Sequence, residues 1–427
     1  MKQLITAFKS LPIQPKIKLL FTFFIIALPI VIFCIFSFIF LLNDKKNRLE
    51  HYNPDFRSEA QQLIEEKLDS TDKDIDPSQY YVNVVVGVEV ISIYNIDNSG
   101  GSFDSEIIVW FDFDYDEFLN MVTSKYNDEN NTSLLTNQIP GDYIERHLPA
   151  TNGNFDTGRG KIHDNYPMVY APDHNYIDNN GNSRKYQTRK IYTSMLKKFD
   201  SPRFPVESVQ FKIYIRPVLD SKYIRYIPAS SIHSANSSDL SSRLSPHYEI
   251  RGGYHLVDDG FSSRIFYYEA PNSNPSLDYA TTIQTELEIN IIANRKDFGL
   301  FFKIFITLFA VLIWTFLALY QGAYRRDFNI GSLGTSVFGG VSAILIGISM
   351  VAEVIPFSLI NFINFTALGT ILLSTWLFII GIRIDKLGTP TNILSNTLLN
   401  KLMFYFLIMI NIFMAIILPI SAYFWYF

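Results

Sequence analysis

The chain has 427 residues, a formal net charge of −5, 48% hydrophobic residues and 15% aromatics, with 36 Phe. So small a charge excludes the basic footprint of a nucleic-acid partner, and a single cysteine, Cys34, excludes an intrachain disulfide framework. Apolar residues concentrate in a block near the N-terminus and another from about residue 299 onward, whereas residues 43–298 are polar and rich in Asn, Asp, Ser and Tyr. Two or three domains of contrasting solvent are therefore expected.

Residues 1–18 are a basic tail with Lys2, Lys9, Lys16 and Lys18. LLFTFFIIALPIVIFCIFSFIFLL, residues 19–42, is 24 residues without a charge. As a helix it spans ~36 Å, more than the ~30 Å hydrocarbon core of a bilayer. It is long for a signal-peptide apolar region and has no small-residue cleavage site, so it reads as an uncleaved transmembrane anchor; a cleaved signal is the other reading. Residues 43–79 read as a linker in which FRSEAQQLIEEKLDS (56–70) is helical.

Residues 80–296 predict a β-domain. VNVVVGVEVISIYNID (82–97), the turn NSGG (98–101) and SEIIVWFDFDY (105–115) read as a hairpin. Within FDFDYDE (111–117), Asp112, Asp114 and Asp116 share one face if the strand continues. Three such carboxylates repel unless paired or metal-bound, and hard oxygen ligands suit Ca²⁺, although the EF-hand pattern is absent; a solvated acidic edge is the alternative. Turn-rich segments NNGN (179–182) and PNSNP (271–275) separate further strands. YATTIQTELEINIIANRK (279–296) alternates, with Ile283, Thr285, Leu287, Ile289 and Ile291 on one face and Gln284, Glu286, Glu288 and Asn290 on the other, the pattern of a half-buried strand. No amphipathic helix longer than three turns is evident after about residue 70. An antiparallel sandwich follows as the expected architecture.

Four further apolar stretches, roughly 299–320, 331–352, 359–382 and 402–425, predict a helical membrane domain over 297–427 that starts directly after Arg295 and Lys296. Arg325, Arg326, Arg383, Lys386 and Lys401 fall on the same side as the N-terminal lysines if the N-terminus is cytoplasmic. The loop 352–358, the domain 43–298 and the C-terminus are then extracytoplasmic in a multi-pass protein. A composition rich in Lys, Asn and Ile fits a bacterial inner membrane. P-loop, HExxH and GxSxG motifs and Cys/His metal spacings are all missing from the sequence, so an enzyme is not expected.

KKFDSPRFPVESVQFKIYIRP (197–217) is a turn with two prolines that opens into an alternating strand. Its FDSPRFPVESVQFKIYI, with Phe204, Pro205 and Glu207, resembles the loop at the membrane end of the β-sandwich in pentameric ligand-gated ion channels, the Cys-loop receptor superfamily, in its prokaryotic form without flanking cysteines. VYAPDHNYIDN (169–179) is similar to that family's Trp-x-Pro-Asp loop, with Tyr170 in place of Trp and Pro172 and Asp173 retained. VVVGVEVISIYNIDNSGGSFDSEIIVWFDF (84–113) resembles its first two strands. Arg295–Lys296 and a four-helix C-terminal region with Pro356 in a tight second-to-third loop complete a resemblance over roughly 80–425.

The resemblance implies an immunoglobulin-like extracytoplasmic β-sandwich, a four-helix transmembrane bundle and a homopentamer in membrane lipid. It implies gating by a small-molecule or ion ligand held by aromatics, here Tyr170 and, by rough position, Tyr267 and Tyr268. It assigns coupling to Phe204, Pro205, Glu207, Arg295, Lys296 and Pro356. The helix 331–356 would line the pore through Thr335, Gly339, Ser342, Ile346, Ser349 and Glu353, one face at helical spacing. Ile346 would form an apolar ring, and Glu353 at the outer mouth leans the selectivity to cations. Small residues also pack membrane helices, and Ser332, Ser336, Gly340, Ala343 and Gly347 form a second stripe, so either face could be the packing one. Departures are a missing proline in the first bundle helix, Val206 and Val209 in place of an aromatic and a Gln, an insertion at about 114–168, and the extra N-terminal anchor. A non-conducting membrane sensor or assembly protein that keeps the receptor fold is the alternative.

Overall fold

In the computed structural model of the chain, the described residues are 6, 8–52, 81–97, 101–151, 155–157, 160–162, 168–196, 202–219, 223–229, 242–271, 281–296, 298–328, 330–349 and 357–424. The helix expected at 56–70 and most of the turn at 271–275 lie outside them. The chain divides into two compact units. One comprises residues 50–199 and 209–294; the other joins residues 1–49, 200–208 and 295–427.

The first unit is built from strands. β1 (Val82–Asp97) and β2 (Ser102–Asp114) form the expected antiparallel hairpin. Val82, Val84, Val86, Val88 and Val90 of β1 all point into the core, the period of two that a pleated strand imposes. Gly87 lies opposite Trp110, and a Cβ on Gly87 would fall 2.2 Å from the indole ring. The remaining strands are β3 (Phe155–Asp156), β4 (Gly160–Ile162), β5 (Met168–Ile177), β6 (Ser183–Leu196), β7 (Ser208–Pro217), β8 (Ile224–Pro228), β9 (Arg243–Ile250), β10 (Tyr254–Pro271) and β11 (Thr281–Arg295).

A seven-stranded sheet runs β4-β6-β2-β1-β8, with β5 also on β6 and β9 also on β1. A four-stranded sheet runs β10-β11-β7-β3. One apolar core draws on both: Val84 and Phe111 from the larger sheet, Phe211, Leu287 and Ile289 from the smaller. The rings of Phe103 and Phe211 meet edge to face at 5.0 Å.

Three expectations change. The sheet is not wholly antiparallel, because β8 and β9 run parallel to β1. Besides the N-terminal helix α1 (Ile13–Tyr52), a four-turn helix, α2, spans Tyr115–Asn130, followed by a short α3 (Gly141–His147). Only Phe118, Met121 and Val122 of α2 are buried, too few apolar positions to announce a helix by periodicity. Finally, β11 is buried on both faces: Glu288 is only 3% exposed because Arg264 (2.9 Å) and Lys212 (3.1 Å) neutralise it.

The second unit is helical. α1 (Ile13–Tyr52) precedes α4 (Gly299–Tyr320), α5 (Ile330–Ser349), α6 (Leu359–Leu387), α7 (Pro390–Ile412) and α8 (Leu418–Phe424). Ser358 caps α6 by accepting from the Asn361 N–H, and Pro390 opens α7 where no N–H is needed. α1 is packed into this unit: Ala27, Cys34 and Leu41 are buried in its core, and Phe23 meets Phe406 at 5.7 Å.

Among the described residues, four helices are long and apolar enough to cross a membrane: Ile13–Asn47, Gly299–Arg325, Leu359–Leu387 and Pro390–Tyr423. The chain is therefore a membrane-associated protein. α5 contributes a shorter apolar stretch, Leu333–Gly347.

Gly87→Ala is expected to displace the Trp110 indole and cost ~1–3 kcal/mol. A fall in the thermal unfolding midpoint of the purified protein checks this, and adding Trp110→Phe should recover part of the loss.

Candidate functional site

The double-proline corner is bonded to several elements of the helical unit. Pro202 through Glu207 are all buried. The Val206 N–H donates to the Arg203 carbonyl (2.9 Å), closing the turn, and the Phe204–Pro205 peptide is cis. Glu207 is 3% exposed, and its Oε1 accepts from Arg295 Nε at 3.1 Å. The Arg295 guanidinium also lies 5.7 Å from the centre of the Phe204 ring. Three of the residues expected at a coupling site, Phe204, Glu207 and Arg295, are thus in contact. Pro205 completes the corner, and Lys296 is exposed beside it in sequence. Pro356 lies outside the described residues.

Further bonds tie the corner to other elements of this unit. The Leu359 N–H at the start of α6 donates to the Pro202 carbonyl at 2.7 Å. The Tyr423 hydroxyl of α8 donates to the Arg295 carbonyl at 2.8 Å, and its ring packs on Phe298 at 4.8 Å. Arg203 Nε lies 3.4 Å from Asp44 Oδ2 near the end of α1, where the neighbouring Lys45 donates to the Tyr423 carbonyl. Asp44, Arg203 and Tyr423 were not singled out in the sequence. The available signal was opposite charge: Asp44 is the first acidic residue after the apolar run, and Arg203 stands between the two prolines.

α5 distinguishes its two faces. Ser336 (2% exposed), Gly340, Ala343 and Gly347 are buried. A Cβ on Gly340 would stand 2.7 Å from Ile371 of α6, and one on Gly347 would stand 3.5 Å from Ile304 of α4. This second small-residue stripe is the packing face. Thr335, Ser342 and Ile346 (49%) are exposed, alongside Phe338 (80%) and Leu345. Gly339 departs from them: it is half-buried, with Val311 of α4 3.0 Å from where its Cβ would be. Ser349 ends α5, and Glu353 lies outside the described residues.

In the strand unit, Tyr170 is exposed on β5 of the larger sheet, whereas Tyr267 and Tyr268 lie on β10 of the smaller one. Asp173, three residues after Tyr170, accepts from Arg189 Nη1 (2.9 Å) and Gln187 Nε2 (2.5 Å) of β6. Burial would raise the Asp173 carboxyl, but these donors outweigh it and hold it below the ordinary carboxylate range.

The acidic triplet does not make a common face. The strand ends at Asp114, whose Oδ1 accepts from the N–H groups of Asp116 and Glu117 and caps α2. Asp116 belongs to the first helical turn, where negative charge complements the helix dipole. Asp112 is buried and paired with Arg184 (3.1 Å) and the Tyr176 hydroxyl (3.0 Å). Among the described residues no cluster of three His, Cys, Asp or Glu is arranged to hold a metal ion.

No protein-family model matches the chain, and no curated protein matches it significantly.

Two outcomes follow from these pairs. Glu207→Ala removes the carboxylate that Glu207 presents to the buried Arg295 and is expected to cost ~3–5 kcal/mol, whereas Glu207→Leu with Arg295→Met should cost far less; unfolding midpoints in detergent compare them. The Asp173 carboxyl is depressed, so its stabilisation is present above the unfolded-state value near pH ~3.9 and disappears as pH falls through the lower folded-state value. Asp173→Asn should therefore lower stability by ~1 kcal/mol at neutral pH, and the difference from the parent protein should close in acid when midpoints are measured across a pH series.

Proposed function

We propose that this chain is one subunit of a homopentameric ion channel of the Cys-loop receptor type. In this reading the two-sheet unit is an extracytoplasmic, immunoglobulin-like sandwich and α4 to α8 form the pore domain. The observation that carries the proposal is the corner itself. A buried Glu207–Arg295 pair, the Phe204 ring and the Pro202–Leu359 hydrogen bond gather the turn, the end of β11 and the start of α6 in one network. Such a junction is what a gating stimulus needs, because β7 leaves the corner at Ser208 and β11 enters it at Arg295 without a linker.

The exposed face of α5 supports the same reading. Its packing surface is used by α4 and α6, which leaves Thr335, Ser342 and Ile346 for a ring of subunits. Hydroxyls at Thr335 and Ser342 replace part of an ion's hydration, and a ring of Ile346 closes the path by dewetting. A ligand caught by exposed aromatics such as Tyr170 strains β7 and β11, and the corner passes that strain to the start of α6. The N-terminus is cytoplasmic, and Glu353 at the outer mouth favours cations.

One experiment tests both halves. Purified protein imaged along the membrane normal should show a five-fold ring with α5 at its axis. In planar bilayers, Ile346→Ser should raise the resting current about tenfold, the effect of moving a closed–open balance by ~1.4 kcal/mol. A lone subunit or another symmetry, with no current from Ile346→Ser, removes the pore and selects the non-conducting sensor or assembly protein instead.

A further inference from the structure

A cavity of about 280 Å³ lies where α1 meets α6 and α7. Its walls include Pro29 and Phe33 of α1, Phe365, Gly369 and Thr370 of α6, and Leu407 of α7. Pro29 is the seventeenth residue of the span Ile13–Asn47, and Thr370 is the twelfth of Leu359–Leu387. At 1.5 Å per residue, Thr370 stands ~16 Å from the start of α6, close to the middle of a ~30 Å hydrocarbon core. No charged side chain lines the space.

Three features distinguish it from an ordinary packing gap. Gly369 is exposed and a Cβ there would meet nothing within 4 Å, so the space is open to the bilayer at the α6 backbone. Pro29 brings a ring and no N–H to the facing wall. Thr370 is 2% exposed and is the acceptor in a 2.8 Å hydrogen bond from Asn411 Nδ2. Its neighbours Thr366 and Thr375 spend their hydroxyl protons on the carbonyls of Phe362 and Ile371, one turn back. Among the described residues no acceptor takes the Thr370 proton. A buried hydroxyl proton without an acceptor is costly where water is absent.

We propose that this cavity is a binding site for a small, uncharged, mainly apolar molecule that enters from the bilayer and accepts a hydrogen bond from Thr370. The volume is nearly twice the ~150 Å³ of an apolar protein cavity that binds benzene, which suits a two-ring or short branched molecule. A charged ligand is excluded by the lining and by the depth. The walls combine an apolar majority with two threonines, the usual composition of a small-molecule site; since Thr366 spends its proton on the Phe362 carbonyl, only Thr370 is left to donate. Because α1 supplies one wall, the occupant links the N-terminal helix to α6 and α7. The site stands whether or not the chain conducts ions.

Benzophenone tests the proposal, being apolar, uncharged, equipped with one carbonyl acceptor and photoreactive. The full-length protein in phosphatidylcholine vesicles should cross-link saturably, with adducts confined to residues 29–33, 365–370 and the vicinity of Leu407. Diphenylmethane, the same shape without the carbonyl, should compete about fivefold more weakly, the effect of one neutral hydrogen bond. Thr370→Val should weaken labelling about fivefold and Thr370→Ser should not. Gly369→Leu, which fills the space, should reduce labelling at least tenfold while the melting transition is retained. If Gly369→Leu fails to fold, the contrast between Thr370→Val and Thr370→Ser decides. Adducts that do not saturate and spread over every lipid-facing helix, or labelling unchanged in the folded variants, overturn the site. Equal competition by diphenylmethane and benzophenone overturns the acceptor and marks the cavity as space filled by lipid chains.

Discussion

A carboxylate and a guanidinium buried side by side, Glu207 and Arg295, set the terms for everything around the corner. Desolvating two charges costs several kcal/mol each, and their attraction offsets this only while the geometry is kept. Their partners therefore have to be fixed as well. The Phe204 ring covers the guanidinium, the Tyr423 hydroxyl binds the Arg295 carbonyl, and the turn closes from Val206 to Arg203. A pair of apolar residues would fill the same volume more cheaply. What the ion pair adds is direction: it ties the end of β11 to the turn through one aligned contact, Arg295 Nε to Glu207 Oε1.

The bilayer supplies the second constraint. Helices in hydrocarbon gain little from apolar contact alone, because lipid is as apolar as Leu, so close approach of small residues decides which faces meet. On α5 the residues at Gly340, Ala343 and Gly347 let Ile371 and Ile304 come near the helix backbone. The segment 321–328 between α4 and α5 meets α6 by the same device at Gly322 and Gly381, where added Cβ atoms would sit 2.8 Å from Phe378 and 2.6 Å from Phe328. Small residues are thus spent on packing, and the face of α5 left over carries hydroxyls interleaved with Phe338, Leu345 and Ile346.

The strands and long helices were legible because each repeats one simple signal. Valine stands at every second position from Val82 to Val90 of β1, and the apolar runs of α1, α4, α6 and α7 are long enough to cross a membrane. What could not be read depended on partners distant in sequence. Glu288 looks like a solvent-facing residue until Arg264 and Lys212 arrive from neighbouring strands. Asp112, Asp114 and Asp116 look alike at period two, yet one is ion-paired, one caps a helix and one starts it. The choice between the two stripes of α5 was undetermined for the same reason: both have helical spacing, and only the positions of Ile371 and Ile304 separate them. At the corner, Phe204, Glu207 and Arg295 were visible as a group. Their anchors Asp44 and Tyr423, 160 residues before and 219 residues after Phe204, were not.

Those two anchors change the standing of the N-terminal helix. An anchor that only tethered the chain would need apolar residues on all sides and no specific partners. Instead α1 buries Ala27, Cys34 and Leu41 in the helical core and sets phenylalanines against Phe362, Phe406 and Phe413. Beyond its apolar run, Asp44 meets Arg203 of the corner and Lys45 meets the Tyr423 carbonyl. Tyr423 in turn holds the Arg295 carbonyl. The same arginine is thus supported from the turn by Glu207 and, through Tyr423, from α1. A helix connected in this way bears on whatever the corner does, since moving α1 disturbs the carbonyl of the residue whose guanidinium is buried against Glu207.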